Sequence, residues 1–305
     1  MHINASAPTR IDLAGGTIDI WPLYLFHDGA QTLNAAISLR AHVDLESRAD
    51  GRILVQSIDT GRRREVAHWS AFRGDAEMGL LGHLLRFFRV DNVTVTTRAE
   101  SPAGAGIAGS SALNIAVCGA MRAWTGASID EEALLQIAMN VEAQAIAVPT
   151  GVQDYRPALY GGIAAIELGA DGVRRVALDV DPVELERRLV LVYTGAPRDS
   201  GTNNWEIVKR HIDGDRRVFE CFERIRDTAV AMRQALSRGD WQEVGGQIAA
   251  EWENRKRLAP GVTTPAIDDL IARARAAGAR TGKICGAGGG GCLICFGEPA
   301  RTAAI

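Results

Sequence analysis

Three segments of the chain carry residue types suited to handling phosphate. The first is SPAGAGIAGSSALNIAV, residues 101–117, where glycines and small residues run straight into an apolar stretch. Glycine lets backbone N–H groups approach phosphate oxygens closely. A helix start adds unpaired N–H groups and the positive end of its dipole. Ser110 and Ser111 at that start can reach a metal ion or a phosphate oxygen. Gly104, Gly106 and Gly109 also spell GxGxxG, the dinucleotide fingerprint. That reading is weak here. The motif lies about a hundred residues into the chain, and Ser101-Pro102 spoils a tight turn after the strand. No Lys-Ser or Lys-Thr closes the loop, so it is not a Walker A loop either.

The second segment is KICGAGGGGCLICF, residues 283–296. Every residue from Gly286 to Gly291 is Gly or Ala. Such freedom costs entropy on folding, which favours a loop that must approach something closely over a plain connection. The third segment is APTRIDLAGGTIDIWPLY, residues 7–24. Arg10 stands just before a short strand, and Thr17 and Asp19 follow a Gly-Gly turn. One short stretch thus carries a cation that can face a phosphate and a carboxylate that can grip a hydroxyl.

The elements that must position these residues change character along the chain. IDLA, TLNAAISL, HVDLES and RILVQSI have the short, partly alternating pattern of strands, and DNVTVTTR (91–98) is rich in β-branched residues. Residues 77–89 repeat apolar side chains at helical spacing, with His83 on the surface of that helix. SSALNIAVCGAMRAW (110–124) reads as a buried helix ending near Gly126. Residues 130–146 read as a second helix with Asp130 as N-cap. GGIAAIEL (161–168) and RLVLVYTG (188–195) read as strands. Two long amphipathic helices follow, the first with Val218, Phe222, Ile225, Ala229, Met232 and Leu236 on one face. Residues 264–279 form a helix capped by Thr264 and stopped at Gly278, and CLICF is a final strand.

The chain has 305 residues, 47% hydrophobic and 23% charged, with a formal net charge of −3. Charges of both signs are mixed, with no basic tail or stripe, so neither a nucleic acid nor an anionic membrane is indicated as partner. The N-terminus lacks the pattern of a secretory signal, and no apolar run is long enough to span a bilayer. Five scattered cysteines point to a reducing, cytoplasmic setting. Cys292 and Cys295 form a lone CxxC with no second ligand pair nearby, and read as buried strand cysteines. Trp69 could border a nucleotide base, but a tryptophan in a half-buried hairpin is more often core.

Taken together, the three segments resemble the GHMP kinase superfamily, which includes galactokinase, homoserine kinase and mevalonate kinase. The resemblance covers essentially the whole chain. The family motif Pro-x-Gly-x-Gly-Leu-Gly-Ser-Ser is matched by Pro102, Gly104, Gly106, Ile107 and Ser110. Ala108 stands where the family has a glycine, and Gly109 where it has its first serine, with loop length unchanged. Within the superfamily the chain is similar to bacterial D-glycero-D-manno-heptose 7-phosphate kinases. The shared features are the AGG-T-D pattern, the Gln-Asp pair at 153–154, YTGAPRDS (193–200) and the closing GAGGGG.

The resemblance implies an α/β fold of two α+β domains. Residues 1–168 would form a ribosomal-protein-S5-like domain holding ATP, and 169–305 a ferredoxin-like domain. It implies ATP contacts from Pro102, Gly104, Ala105, Gly106, Ile107, Ala108, Gly109, Ser110 and Ser111. Magnesium would be held by Glu142, twelve residues before Asp154, and by Ser110, with Ser111 as the other choice of serine. Asp154 would handle the acceptor hydroxyl's proton, and Arg10 would face the transferred phosphate or hold Asp154 ionised. Thr17 and Asp19 would bind acceptor hydroxyls. Gly286, Gly288 and Gly289 would contact substrate, and Arg198 reads either as a substrate-phosphate contact or as a surface arginine.

The implied activity is ATP-dependent phosphorylation of a hydroxyl on a sugar or sugar phosphate, with the anomeric position of the heptose 7-phosphate as the leading case. A mevalonate-like or homoserine-like acceptor, a related decarboxylase, and an inactive ATP- and sugar-binding sensor are the alternatives. The presence of Arg10, Glu142 and Asp154 together favours an enzyme over the sensor. The implied partner is a small molecule. Oligomeric state stays open, with a homodimer the assembly considered.

Overall fold

The computed structural model describes residues 1–73, 78–197 and 200–305, the side chains of 200–203 excepted. Its largest feature is a seven-stranded sheet built around two long antiparallel strands, β1 (His2–Ala14) and β2 (Gln31–Ser47). β1 pairs with β2 from His2↔Glu46 to Ala14↔Leu33. The other edge of β2 is shared: β5 (Val93–Ala99) takes residues 41–47 and β6 (Ile163–Gly169) takes residues 31–35. β3 (Ile53–Ser57) and β4 (Arg63–Val66) continue the sheet beyond β5, and β7 (Gly172–Ala177) beyond β6. The sheet therefore runs past residue 168, where the sequence places the division between halves.

The helices α1 (Gly79–Phe88), α2 (Gly109–Thr125) and α3 (Glu131–Ile146) pack with this sheet through one core that includes Leu45, Val95, Val117 and Leu134. Trp69 and Phe88 pack against that core. Asp130 caps α3 by accepting from the Ala133 N–H at 2.8 Å, as its position at the helix start requires. A short helix, α4 (Tyr155–Tyr160), leads into β6.

The second half opens with α5 (Pro182–Glu186), β8 (Leu189–Tyr193) and α6 (Ser200–Ile212). The long helices α7 (Arg216–Arg238) and α8 (Trp241–Arg255) follow, then α9 (Pro265–Ala277), β9 (Ala279–Ile284) and β10 (Cys292–Gly297). These three strands form an antiparallel sheet in the order β8-β10-β9. The apolar face of α7 expected from its spacing is fully buried from Val218 to Leu236. Thr264 caps α9 and Gly278 ends it at φ +120°. Cys292 and Cys295 lie buried on β10. No helix among the described residues is long and apolar enough to cross a membrane.

The halves share cores. Ile11 and Leu13 of β1 pack in one cluster with Met232 of α7, Ile248 of α8 and Ile294 of β10. Ile18, Ile20 and Val152 join Ile225, Trp252, Val262 and Ile284 in another. Each such side chain contributes about 1.5–3 kcal/mol when buried. The seam where the functional segments meet is thus clamped by apolar packing from both halves.

Candidate active site

β1 delivers two charged side chains into that seam. Residues two apart on a strand share a face, so Arg10 and Asp12 point together while Ile11 and Leu13 face the apolar cluster. Register shifts between Pro8 and Arg10, and between Asp12 and Ala14, bracket the pair. Such irregularities bend a strand and re-aim its side chains. Arg10 is 1% exposed. Its Nε and Nη2 donate to Asp154 Oδ1 at 3.0 and 2.5 Å, and its Nη1 donates to the Gly106 carbonyl at 3.3 Å. One guanidinium therefore links the carboxylate expected to act as base with the loop expected to hold phosphate. Burial works against its charge, but Asp154 and Asp12 outweigh it, so the Arg10 pKa is raised.

The phosphate loop follows β5. Gly104 and Gly106 sit at φ +72° and +76°, where glycine is unstrained. Ala108 adopts φ +58°, at a cost of about 1–2 kcal/mol for a residue with a Cβ, in the place where the family motif has glycine. The second departure from the motif falls at a crowded position. A Cβ on Gly109 would lie 2.8 Å from Ser101 Oγ, so a serine at 109 conflicts with the serine at 101. α2 then starts without a side-chain cap. Its first N–H groups lack intrahelical partners by position, which makes the helix start an anion site. Loop, helix start, Glu142 and Asp154 line one cleft of about 280 Å³.

Glu142 reaches this cleft from α3. Ser110 Oγ donates to its Oε1 at 2.6 Å, and Ser111 Oγ donates to its Oε2 at 3.0 Å. Both serines weighed from sequence therefore meet the same carboxylate. Glu142 is 5% exposed, and among the described residues no cationic side chain hydrogen-bonds it. Burial pushes its carboxyl up, Asp154 adds to that, and the hydroxyl hydrogen bonds pull the other way. A carboxylate and hydroxyls in this setting are the hard oxygen donors that magnesium takes alongside phosphate oxygens. The residues present fit such an ion.

A second, smaller cavity of about 30 Å³ lies behind Asp154, lined by Arg10, Thr17, Asp19, Gln153 and Gly286 among others. Asp19 is held there by Gln153, whose backbone N–H donates to Oδ2 and whose Nε2 donates to Oδ1, both at 3.0 Å. A Cβ on Gly151 would strike the Asp19 carboxylate, so this close approach requires glycine. Burial, with Asp154 nearby, raises the Asp19 pKa to about 7.

The closing glycine run docks onto both segments. The Gly286 N–H donates to Asp12 Oδ1 at 2.8 Å, and the Cys292 N–H donates to the Ala105 carbonyl at 2.6 Å. A Cβ on Gly291 would crowd that same carbonyl at 2.7 Å. Gly286 borders the small cavity, whereas Gly288 and Gly289 lie against Val262, with the Gly289 N–H donating to its carbonyl at 2.9 Å. Thr17 accepts from Arg255 Nη2 at 3.2 Å. Arg198 lies outside the described residues.

Asp12, Lys283, Arg255 and Glu251 were not singled out from sequence, yet they form the buried support of the site. Asp12 Oδ2 accepts from Lys283 Nζ at 2.8 Å and from Arg255 Nη1 at 3.1 Å. Lys283 also donates to the Asp12 carbonyl at 2.9 Å. Glu251 lies 3.6 Å from Arg255 and 3.7 Å from Lys283. Burial penalises the Asp12 charge, but Lys283, Arg255 and Arg10 outweigh that and hold its carboxyl well below the usual range. The spacing of Asp12 from Arg10 was the available signal; the others had none within their own segments.

A glycine loop feeding a helix start, a buried Arg–Asp pair and a hard-oxygen pair on one cleft define a phosphoryl-transfer enzyme. Matches to known proteins give the family. Residues 77–162 match the GHMP kinases N terminal domain and residues 232–305 the GHMP kinases C terminal domain, together more than half of the chain. The chain belongs to the GHMP kinases and has their two-domain fold, and it is a phosphotransferase with an alcohol group as acceptor. It is 28% identical to a D-glycero-alpha-D-manno-heptose 7-phosphate kinase of Campylobacter jejuni, over 98% of this chain and 90% of that protein. It is 27% identical to a mevalonate kinase of Thermococcus sibiricus, over 96% of this chain and 88% of that one. Among solved structures, a D-glycero-D-manno-heptose 1-phosphate kinase from Bacteroides thetaiotaomicron superposes with a TM-score of 0.78 at 26% identity. That match covers 99% of this chain and 90% of the other.

Proposed function

We propose that this protein transfers the γ-phosphoryl group of ATP to a hydroxyl of a sugar phosphate, with the anomeric hydroxyl of D-glycero-D-manno-heptose 7-phosphate as its acceptor. One observation carries the direction of transfer: Asp154 lies in the wall common to the phosphate cleft and the small cavity. A donor phosphate in the cleft and an acceptor hydroxyl in the cavity meet at its carboxylate. The similarity to heptose phosphate kinases over nearly the whole chain supports the acceptor.

The roles follow from position. Pro102 to Ser111 surround the ATP phosphates, except Ile107, which turns into the apolar cluster with Ile11 and Leu13. Ser110 and Glu142 would hold magnesium, which neutralises phosphate charge when bound. Arg10 keeps Asp154 oriented through two donors on one carboxylate oxygen, and Asp154 takes the hydroxyl proton. Asp19, Thr17 and Gly286 border the acceptor. Residues 1–168 supply most of the phosphate cleft, and residues 169–305 supply Asn204 and the glycine run that borders the small cavity at Gly286.

The test is turnover with magnesium-ATP and a panel of heptose 7-phosphate, free hexoses, mevalonate and homoserine, read by ADP release and product mass. Turnover confined to mevalonate or homoserine overturns the sugar reading and keeps the mechanism. Tight ATP binding with no turnover on any acceptor points to a sensor instead.

The raised Asp19 pKa gives a pH expectation. Below about 7 the carboxyl is protonated in the free enzyme and accepts sugar hydroxyls poorly. Acceptor kcat/KM is expected to rise from about pH 6 to about pH 8 with an inflection near neutrality, since kcat/KM reports free-enzyme groups. Asp19→Asn should lose that inflection. A wild-type profile flat across this range removes Asp19 from the acceptor site.

A further inference from the structure

Gln153 directly precedes Asp154 and is 5% exposed. Its Nε2 donates to Asp19 Oδ1 while its backbone N–H donates to Oδ2, so the amide nitrogen faces Asp19. The amide oxygen then faces the other way. That oxygen, Oε1, is buried and has no hydrogen-bond partner among the described residues. Asn204 Oδ1, from α6, is a second buried acceptor without one, and its residue borders the same small cavity. An unmade hydrogen bond at a buried group costs about 1–3 kcal/mol. Two orphaned acceptors beside the reacting carboxylate are therefore positions where an incoming molecule is expected to donate.

We infer that Gln153 Oε1 reads a hydroxyl of the acceptor other than the one phosphorylated, which makes the site selective for polyols. This rests on the sugar-acceptor reading above and narrows it. An amide oxygen pairs with a hydroxyl hydrogen and repels carboxylate and phosphate oxygens. Asp19 and Asp154 line the same cavity, and Arg10, the cationic side chain among the described residues lining it, is already engaged with both Asp154 and Asp12. A phosphate carried by the acceptor therefore lies outside this cavity, and the end that enters presents hydroxyls. An alcohol with a carboxylate close to its reacting hydroxyl is disfavoured.

The test pairs wild type and Gln153→Met with D-glycero-D-manno-heptose 7-phosphate and its 2-, 3- and 4-deoxy analogues. The dissociation constant for magnesium-ATP serves as a measure of intact folding. Wild type is expected to lose about 10–100-fold in kcat/KM with one deoxy analogue, the range of a lost hydrogen bond at a buried site. Gln153→Met should lose a similar factor with the parent sugar, lose little more with that analogue, and bind ATP as wild type does. Full turnover of every deoxy analogue by wild type overturns the inference without recourse to the variant. Multiplying losses for variant and analogue overturn it too. No turnover of any sugar by wild type overturns the acceptor reading itself, a result distinct from the other two.

Discussion

Asp154→Asn is expected to lower kcat by about 10²–10⁴-fold, the contribution of a positioned base, while ATP affinity changes little. Asp154 Oδ1 takes both Arg10 contacts, which leaves Oδ2 for the acceptor hydroxyl. Asparagine can keep an oxygen toward Arg10, so the side chain stays oriented. It then presents an NH₂ where the hydroxyl proton must go. The loss therefore falls on the chemical step and leaves binding largely intact. Steady-state kinetics beside a direct measurement of ATP binding separate the two. A loss below about tenfold would show that alignment and charge neutralisation suffice here, as phosphoryl transfer permits in principle, and would remove the base role from Asp154. A loss confined to ATP affinity would place Asp154 with the phosphate loop instead.

How readily each part of this site could be read from sequence depended on how local its cause was. The phosphate loop was legible because its glycines and the helix they feed are contiguous. The helix around Glu142 was legible from its period and from Asp130, which caps it as expected. Arg10 and Asp154 are 144 positions apart, and nothing in either segment alone says that they touch. Only the family resemblance joined them. The crowding of Gly109 by Ser101 was equally hidden, since it is a proximity in space that spacing does not reveal.

Strands went astray for related reasons. TLNAAISL and HVDLES read as two strands but form one, β2, because β1 pairs along its length while the opposite edge passes from β6 to β5. β7 carries Arg174 and Arg175 at the sheet's edge, so it lacks the apolar alternation that marks a strand. β9 was masked by the glycine run it leads into. Arg255 lies within a charged stretch, NRKR in sequence, at the end of an amphipathic helix, yet it is 1% exposed. Which charge turns inward is decided by the segment that meets it, here Asp12 and the Gly286 carbonyl.

That buried charge network carries the other large effect. Asp12 is fully buried, with Lys283 and Arg255 on one oxygen and the Gly286 N–H and Arg10 on the other. Asp12→Asn leaves three buried cations, Lys283, Arg255 and Arg10, facing an amide. Breaking a buried ion set by removing one partner costs about 3–5 kcal/mol. Against a total stability of about 5–15 kcal/mol, that leaves a marginal enzyme. Lys283→Gln is expected to cost a comparable amount, because it removes a cation from between Asp12 and Glu251. The double variant Asp12→Asn/Lys283→Gln should cost clearly less than the two losses added together, since it removes one charge of each sign. Urea unfolding of the four proteins measures this coupling. The pH dependence has a definite sign. The Asp12 carboxyl lies below its unfolded value, so its contribution is complete above about pH 4 and is lost in stronger acid as the folded form takes up the proton. Wild type should therefore be destabilised by acid more steeply than Asp12→Asn. Additive losses at neutral pH, or equal acid slopes, would mean that Asp12 and Lys283 act independently. The Arg10–Asp154 pair would then owe its placement to the apolar seam and to the backbone bonds of β1.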